Sequence, residues 1–418
     1  MISMVKKKFN ILYHFRVRGT GAEGVHIAGI VNGFRVLGHT VRLLSPTNTD
    51  PTVPKKSIST SQEKTSFPAF ILHKLADLLP QPFFELMEMA YNLVAIPRLW
   101  RTVSREHTDL IYERYAFFNI AGAFISKIKG LPLVLEVNEL SGDKRVRKQS
   151  FVSLCSIFEL FVFRQAALVI TVSNYLSDEV HRRLDDSGQL VITMPNGVPE
   201  AWLRHNIPSE LSLELQNRYC LAGKRVICFM GGLVYWHNFD LLLEAVKRVQ
   251  SRIDNVVLLI IGDGPLRSYI HEAAVKFALE PNSIIFAGNI PHARIPVYLS
   301  LADVAVIPET NDFRSPIKLF EYMAMELPVV APKKPAIEIA ITHNRSGLLF
   351  EPGNAGSLAN MLEECFINPK MIKSLGYNAH KEIAEKFTWE KNSERILQAF
   401  QRYLLETKGD GLVKNFLD

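Results

Sequence analysis

Short apolar runs recur along this chain, separated by longer stretches with helical spacing and punctuated by Gly, Pro and Asn. The first run, residues 10–15, leads through a glycine-rich loop into a helical pattern that ends at Leu37-Gly38-His39. Residues 40–44 then read as a second strand, alternating β-branched and polar positions before Ser45-Pro46. Further strands are expected at 110–112, 131–137 and 167–172, each preceded by a helical pattern. Short continuous apolar strands joined by helical crossovers predict a parallel sheet covered on both faces. Asn196-Gly197-Val198-Pro199 closes this rhythm, and a boundary is expected within 197–210, where a polar stretch with Pro208 opens the next pattern. The rhythm restarts with strands at 226–230, 256–261, 283–287, 304–307, 328–331 and 347–350. Residues 389–405 form a long amphipathic helical pattern, followed by a glycine-containing tail expected to fray. The expected domains are 1–205, 206–388, and a C-terminal helix with its tail at 389–418, with no solenoid-type repeat.

Composition narrows the class without choosing a function. At 418 residues the chain is too long for one ordinary core. A hydrophobic share of 48% and a charged share of 22% are those of a globular protein. Cys155, Cys220, Cys228 and Cys365 lie far apart and form no disulfide framework, which fits a reducing, cytoplasmic setting. The basic N-terminus runs into a strand instead of a signal-peptide core, so export is not expected. The longest apolar stretches, 67–79 and 151–170, are interrupted by charges, so no transmembrane helix is expected. Residues 47–66, rich in Thr, Ser, Pro and Lys, read as a mobile loop. A net charge of +6 favours an anionic partner: a nucleotide diphosphate, an acidic membrane surface or a nucleic acid. The dispersal of the basic residues, with no recognised nucleic-acid module, argues against the last.

Four glycine-bearing or helix-starting segments carry candidate chemistry. Gly19-Thr20-Gly21-Ala22-Glu23-Gly24 spells G-x-G-x-x-G between a strand and a helix, where backbone amides can receive an anion. A dinucleotide enzyme would place an acidic residue at the end of the second strand, but Ser45-Pro46 stands there. A phosphate- or sugar-binding loop and a purely structural glycine turn remain as readings. In the second half, a strand runs into Gly231-Gly232-Leu233, followed by Trp236-His237-Asn238 and a helix at 239–249. Glycines there allow a ligand close to the backbone. Gly262-Asp263-Gly264-Pro265 is a tight turn at another strand's C-terminal edge, where open α/β sheets bind ligands. In Ser315-Pro316-Ile317-Lys318-Leu319-Phe320-Glu321, Pro316 suits a helix start whose free amides can face a phosphate. Lys318 and Glu321, three apart, share a helical face, and a carboxylate suits a ribose diol. The competing reading is an exposed ion pair worth under about 1 kcal/mol.

Taken together, these segments resemble the retaining glycosyltransferases of family 4 over nearly the whole chain. The resemblance rests on Gly-Ala-Glu-Gly-Val-His at 21–26, Pro-Asn-Gly-Val at 195–198, Gly231-Gly232 with Trp236-His237, Gly262-Asp263-Gly264-Pro265, residues 315–322, and Ser346-Gly347-Leu348-Leu349. It implies an α/β GT-B fold, two Rossmann-like doubly wound domains facing across a cleft, with nucleotide sugar on the C-terminal domain and acceptor on the N-terminal one. It also implies a final helix that crosses back onto the N-terminal domain. Glu321 would then hold the ribose, while Ser315, Pro316, Lys318 and Leu319 would lie near the diphosphate beside Gly232, Gly262 and Gly264. Gly21 would close over the donor, with Glu23 and His26 on the acceptor side. No metal or other cofactor is implied, because basic groups and helix dipoles offset the leaving phosphate.

Three departures stand out against that pattern. Many relatives carry a glutamate eight residues before the ribose one, where this chain has Phe313, and Glu309 lies twelve before. Many carry a basic pair after the first C-terminal strand, where this chain has Leu233, Tyr235, Trp236, His237 and Asn238. Arg314, His237 or Lys318 must then supply the phosphate charge. Asn138 or Glu139 occupies the neighbourhood where relatives show a histidine or aspartate, so Glu139, Asn138 and His237 are the catalytic candidates. His39 reads as a turn residue.

Lys144-Arg145-Val146-Arg147-Lys148 beside the apolar stretch 151–163, and the Phe-, Leu- and Met-rich segment 67–100, suit an anionic membrane surface. A solvated charge run beside core helices is the plainer reading. The expected partners are a nucleotide-diphosphate sugar and a glycan or lipid-linked acceptor in cell-surface polysaccharide assembly. Two rivals share the architecture: a sugar-nucleotide epimerase and a non-catalytic sugar-nucleotide-binding subunit.

Overall fold

The computed structural model describes residues 8–17, 19, 21–53, 80–143, 148–185, 188–204 and 207–407. The expectations for the basic N-terminus at 1–7, the loop at 54–66, the apolar segment 67–79, the basic run 144–147 and the tail 408–418 lie outside the described residues. The chain divides into two compact units, residues 1–194 with 393–418, and residues 195–392.

The first unit contains β1 (Asn10–His14), α1 (Gly21–Val36), β2 (Thr40–Leu44), α2 (Gln81–Ala90), α3 (Asn92–Arg105), β3 (Leu110–Arg114), α4 (Ala121–Lys129), β4 (Leu133–Val137), α5 (Val152–Gln165), β5 (Leu168–Thr171), α6 (Asn174–Leu184) and β6 (Val191–Thr193). All six strands are parallel, in the order β2-β1-β3-β4-β5-β6. Every residue of β3, β4 and β5 is buried, as two helix-covered faces require. Local chemistry sets several ends. Gly130 closes α4 in the left-handed region at φ 65°, and the Ser173 hydroxyl accepts from the Leu176 amide at the start of α6.

The second unit opens with α7 (Ser209–Arg218) and continues through β7 (Arg225–Met230), α8 (Phe239–Gln250), β8 (Val256–Ile261), α9 (Arg267–Lys276), β9 (Ile284–Gly288), α10 (Ile295–Leu299), β10 (Val304–Val306), α11 (Ile317–Ala324), β11 (Val329–Pro332), α12 (Pro335–Glu338), β12 (Leu348–Phe350), α13 (Ala355–Ile367) and α14 (Pro369–Lys386). Its strands are parallel in the order β12-β11-β10-β7-β8-β9. The period-2 alternation of β7 splits cleanly between two cores. Val226, Cys228 and Met230 pack on one face of the sheet, Ile227 and Phe229 on the other.

The unit boundary falls at Met194/Pro195, ahead of the expected 205/206. The physical reason is that residues 195–198 are hydrogen-bonded into the second unit. The Val198 amide donates to Phe387 O at 3.1 Å, and the Asn196 amide donates to the Ser315 hydroxyl at 2.9 Å. The last helix, α15 (Trp389–Thr407), starts in the second unit and belongs to the first from Ser393 onward. Within the first unit its Ser393 hydroxyl donates to Ile30 O, and Phe400 meets Phe9 edge-on. Among the described residues, no helix is long and apolar enough to cross a membrane.

Candidate functional site

In the second unit the chain leaves β7 in one direction along the sheet toward β8 and β9, and returns on its other side through β10, β11 and β12. The switch point therefore lies between β7 and β10, and open α/β sheets bind ligands beyond the strand ends there. The two segments that leave those strand ends are Gly231-Gly232 and residues 307–318, both singled out in the sequence.

The glycines are sterically required. Gly262 has φ 138°, and a Cβ on it would sit 2.0 Å from Gly231 O. A Cβ on Gly264 would sit 2.7 Å from the Leu233 backbone. The turns after β7 and β8 are thus pressed together, tied by hydrogen bonds from the Gly231 amide to Ile261 O and from the Leu233 amide to Asp263 O. A Cβ on Gly231 would meet Lys318 Nζ at 2.6 Å, so that ammonium is brought against the turn. Gly232 is the roomy position, with only the end of Val234 nearby.

Residues 315–321 are held from below. Pro316 caps α11 with no side-chain cap, leaving first-turn amides in the condition that suits an anion. The Asn196 side chain donates to Ser315 O, Leu319 is fully buried, and the Met230 amide donates to the Tyr322 hydroxyl at 2.6 Å. Lys318 and Glu321 do not form the simple surface pair that their spacing allows. Lys318 Nζ lies 4.3 Å from the Phe229 ring centroid and 3.4 Å from His237 Nε2. Glu321, 7% exposed, has His292 Nε2 at 2.6 Å. Burial brings Lys318 down to about 7, against Glu321 and Cys228, which favour its charge.

His237 lies against Lys318 in the same neighbourhood. Burial, aided by Lys318 and Arg314, lowers it to about 3, against a hydrogen bond with the Glu309 backbone. In the free site it is held neutral near pH 7 and can accept or donate a hydrogen bond. The cations of this neighbourhood are Arg314, whose guanidinium lies 5.8 Å from the Trp236 ring centroid, and Lys318. Phe313 is buried and fills the place where a second glutamate was looked for. Glu309 is bound to Lys334 Nζ at 2.6 Å, and the same ammonium donates to Thr310 O.

In the first unit the corresponding switch point lies between β1 and β3. Gly21 has φ 61° at the head of α1, and a Cβ on Gly24 would sit 2.5 Å from Gly19 O, so the glycine loop closes on itself. Glu23 is exposed, whereas His26 is buried with its Nε2 2.8 Å from Glu136 Oε1. Glu136 also accepts from Arg114 at 2.5 Å, Asn138 at 2.7 Å and the Tyr112 hydroxyl at 2.9 Å. Burial alone would raise this carboxyl, but His26, Arg114 and Asn138 hold it well below the usual range. His26 and Asn138 are therefore joined through a carboxylate that sequence reasoning missed. Its only signal was a charged residue inside the apolar strand Leu-Val-Leu-Glu-Val. Glu139 is partly buried beside them. His14 and Glu113, cross-strand partners at the ends of β1 and β3, are also hydrogen-bonded and buried. His39 accepts the Phe9 amide, as a turn residue does.

Comparison with known proteins agrees with this geometry. Residues 23–202 match the model of Glycosyltransferase Family 4, and residues 224–368 match that of Glycosyl transferases group 1. A 2-deoxystreptamine N-acetyl-D-glucosaminyltransferase of Niallia circulans is 22% identical over 272 residues, 64% of this chain and 69% of that protein. A GDP-mannose-dependent alpha-(1-6)-phosphatidylinositol monomannoside mannosyltransferase of Mycobacterium tuberculosis is 24% identical over 193 residues, 44% of this chain and 49% of that one. The structure of Anabaena HepE in complex with UDP-glucose superposes with a TM-score of 0.68 at 18% identity, covering 94% of this chain and 100% of that one. Two six-stranded parallel Rossmann-like units, two family models that together span most of the sequence and a GT-B likeness along its length agree. The chain belongs to the family 4, group 1 glycosyltransferases of GT-B fold, enzymes that transfer a sugar from a nucleotide-sugar donor.

Proposed function

We propose that this glycosyltransferase moves a hexose-type sugar, with retention, from its nucleotide donor to a glycan or lipid-linked acceptor in cell-surface polysaccharide assembly. The observation that carries the donor half is the convergence at the switch point of the second unit. There the pressed glycine turns, the uncapped start of α11, Lys318 and Glu321 follow the ends of three neighbouring strands, β7, β8 and β10. In this reading Glu321 holds the ribose. Ser315, Pro316, Lys318, Leu319 and Arg314 serve the diphosphate, and Gly232, Gly262 and Gly264 give it close access to the backbone. His237 hydrogen-bonds as a neutral ring. On the first unit, Gly21 serves the donor, Glu23 and His26 serve the acceptor side, and Asn138 and Glu139 orient the acceptor. The transfer breaks the bond from the anomeric carbon to the diphosphate and forms one from the acceptor oxygen on the same face. The acceptor's proton passes to the leaving phosphate, so no protein base and no metal are needed.

The test is a panel of UDP-, GDP- and ADP-sugars in EDTA, with Tm and release of nucleotide diphosphate as readouts. One donor should raise Tm and be slowly hydrolysed, and NMR of the product should show the donor's anomeric configuration. No binding from any donor would remove the assignment, and inversion would remove the retaining mechanism. An epimerase would change the sugar without acceptor, and a binding subunit would shift Tm without turnover. The two relatives described above are named as transferases, which favours neither rival.

The lipid-linked acceptor and peripheral membrane reading draws on α3 and α4. Helix α3 carries Arg98, Arg101 and Arg105 with no acidic residue, and exposes Leu93, Val94 and Trp100. Helix α4 adds Lys127 and Lys129 with exposed Phe124 and Ile128, and Lys129 Nζ lies 3.8 Å from the Trp100 ring centroid. Cations beside exposed apolar side chains match an anionic lipid surface. The full chain should float with phosphatidylglycerol vesicles and not with phosphatidylcholine ones, and Leu93→Asp should abolish flotation. Absence of flotation with the anionic vesicles sinks this part.

A further inference from the structure

The carboxylate of Glu321 has a partner that the sequence pattern does not announce. His292 begins a short 3-10 turn, His292–Arg294, which follows β9 and is entered through Pro291. Its Nε2 lies 2.6 Å from Glu321 Oε1. Its ring lies on that of Trp202, with centroids 5.1 Å apart and planes inclined by 30°. Trp202 in turn packs against the core that holds Leu319, Phe320 and Tyr322 of α11. The imidazole is thus fixed on one face by an aromatic ring seated on the same helix that carries Glu321, and at its edge by the carboxylate itself. Glu321 Oε2 has no hydrogen bond to any described residue.

We propose that His292 is a positioning residue that sets how this site recognises the ribose of a nucleotide. It occupies one oxygen of Glu321 and thereby turns the other, Oε2, toward a ribose hydroxyl. A glutamate left to itself samples several rotamers and loses that freedom when a ligand binds. With His292 seated on Trp202, the carboxylate is already ordered, so the hydroxyl meets an acceptor of fixed direction. The same contact leaves Oε2 as the oxygen without a protein partner, so the ribose hydroxyl that faces it carries most of the recognition. The inference rests on the reading that Glu321 holds the ribose, and it assigns to His292 no contact with the nucleotide.

The experiment uses the full chain and isothermal titration with UDP, GDP and ADP. Whichever binds is then compared with its 2′-deoxy and 3′-deoxy counterparts. Wild-type protein should prefer the ribonucleotide over one of the two deoxy forms by about tenfold or more, the range of a hydrogen bond to a charged acceptor. His292→Ala should reduce that preference to about threefold or less and raise the donor KM with kcat little changed. His292→Gln, whose amide nitrogen reaches the place of Nε2, should restore most of it. A general packing defect would weaken ribose and deoxyribose forms alike, so the ratio separates positioning from a loss of fold, and Tm of each variant checks the latter.

Glu321→Ala distinguishes the two levels of the argument. If it abolishes the ribose preference while His292→Ala leaves the preference intact, the role of His292 is overturned and the ribose site stands. If Glu321→Ala leaves the preference unchanged, the ribose reading falls and this inference falls with it. Loss of the preference in both variants, with rescue by His292→Gln, supports the proposal. Loss without rescue by His292→Gln counts against hydrogen bonding as its basis.

Discussion

Lys318 sits at about 7 because its ammonium is packed beneath Phe229 and against the Gly231 turn, where water cannot solvate it. Near neutral pH the free site is therefore poised between a charged and a neutral amine. A bound diphosphate favours the charged form, so binding should be coupled to proton uptake at this residue. The sign follows directly: below about 7 the cation is present before the ligand arrives, whereas above it the ligand must also draw a proton from solvent. Affinity for a nucleotide sugar, whose diphosphate diester keeps its charge over this range, should be flat in mild acid and weaken progressively as pH rises above 7. Lys318→Met should bind more weakly and lose that dependence. Isothermal titration in buffers of different ionisation enthalpy measures the proton uptake directly. Equal binding by wild type from pH 6 to 9 would show that Lys318 does not serve the phosphate. His237, by contrast, stays neutral through this range, so the dependence is not its own.

At the scale of elements, the strands were legible and the ties between them were not. The runs at 40–44 and 256–261 coincide with β2 and β8: β8 is buried on both faces and continuously apolar, whereas β2, at the sheet edge, alternates with polar positions and is mostly part-buried. β6 was not anticipated: it has three residues, all only partly buried, and its short apolar run Leu190-Val191-Ile192 passes directly into the Pro195-Asn196-Gly197 turn. The helix start at Pro316 was readable from its residue type. The polar pairs were not, because each joins residues far apart in the chain: the buried His14 with Glu113 and His26 with Glu136, and Glu321 with the exposed His292. A carboxylate inside an apolar pattern announces that it has a partner, but not which one. Glu85 illustrates the consequence. It lies fully buried in α2, and its oxygens accept from the Ser150 and Phe151 amides at 2.6 and 2.7 Å. Those amides precede α5, whose N-cap Phe151 has no side-chain oxygen of its own. A distant glutamate thus does the work of a local cap. Glu85→Ala would leave both part-buried amides without this acceptor, at a cost of about 1–3 kcal/mol. Calorimetry should show a lower Tm for the first unit, with nucleotide binding by the second unit unaltered. An unchanged Tm would mean that water replaces the carboxylate.

Across the whole molecule, the two units are built alike but threaded differently. The second is one continuous stretch, 195–392, with its own core on each face of its sheet, and every residue assigned to the donor lies within it except Gly21. The first is completed only when the chain returns at Ser393. Ile396, Leu397, Phe400 and Leu404 of α15 are buried, and Phe400 meets Phe9 beside the start of β1. Continuity should decide which unit can stand alone. A fragment of residues 195–392 should unfold cooperatively and bind the nucleotide diphosphate of the cognate donor within about tenfold of the full chain, since its site and cores are complete. A fragment ending at 194 should fold poorly, because the apolar surface that α15 covers would be left in water. Extending that fragment through a short linker to residues 393–407 should recover a cooperative transition by calorimetry. If the 1–194 fragment proved as stable as the linked one, α15 would be an accessory to the first unit and not a part of its core. If the 195–392 fragment folded but did not bind, donor recognition would depend on the first unit more than the placement of Lys318 and Glu321 indicates.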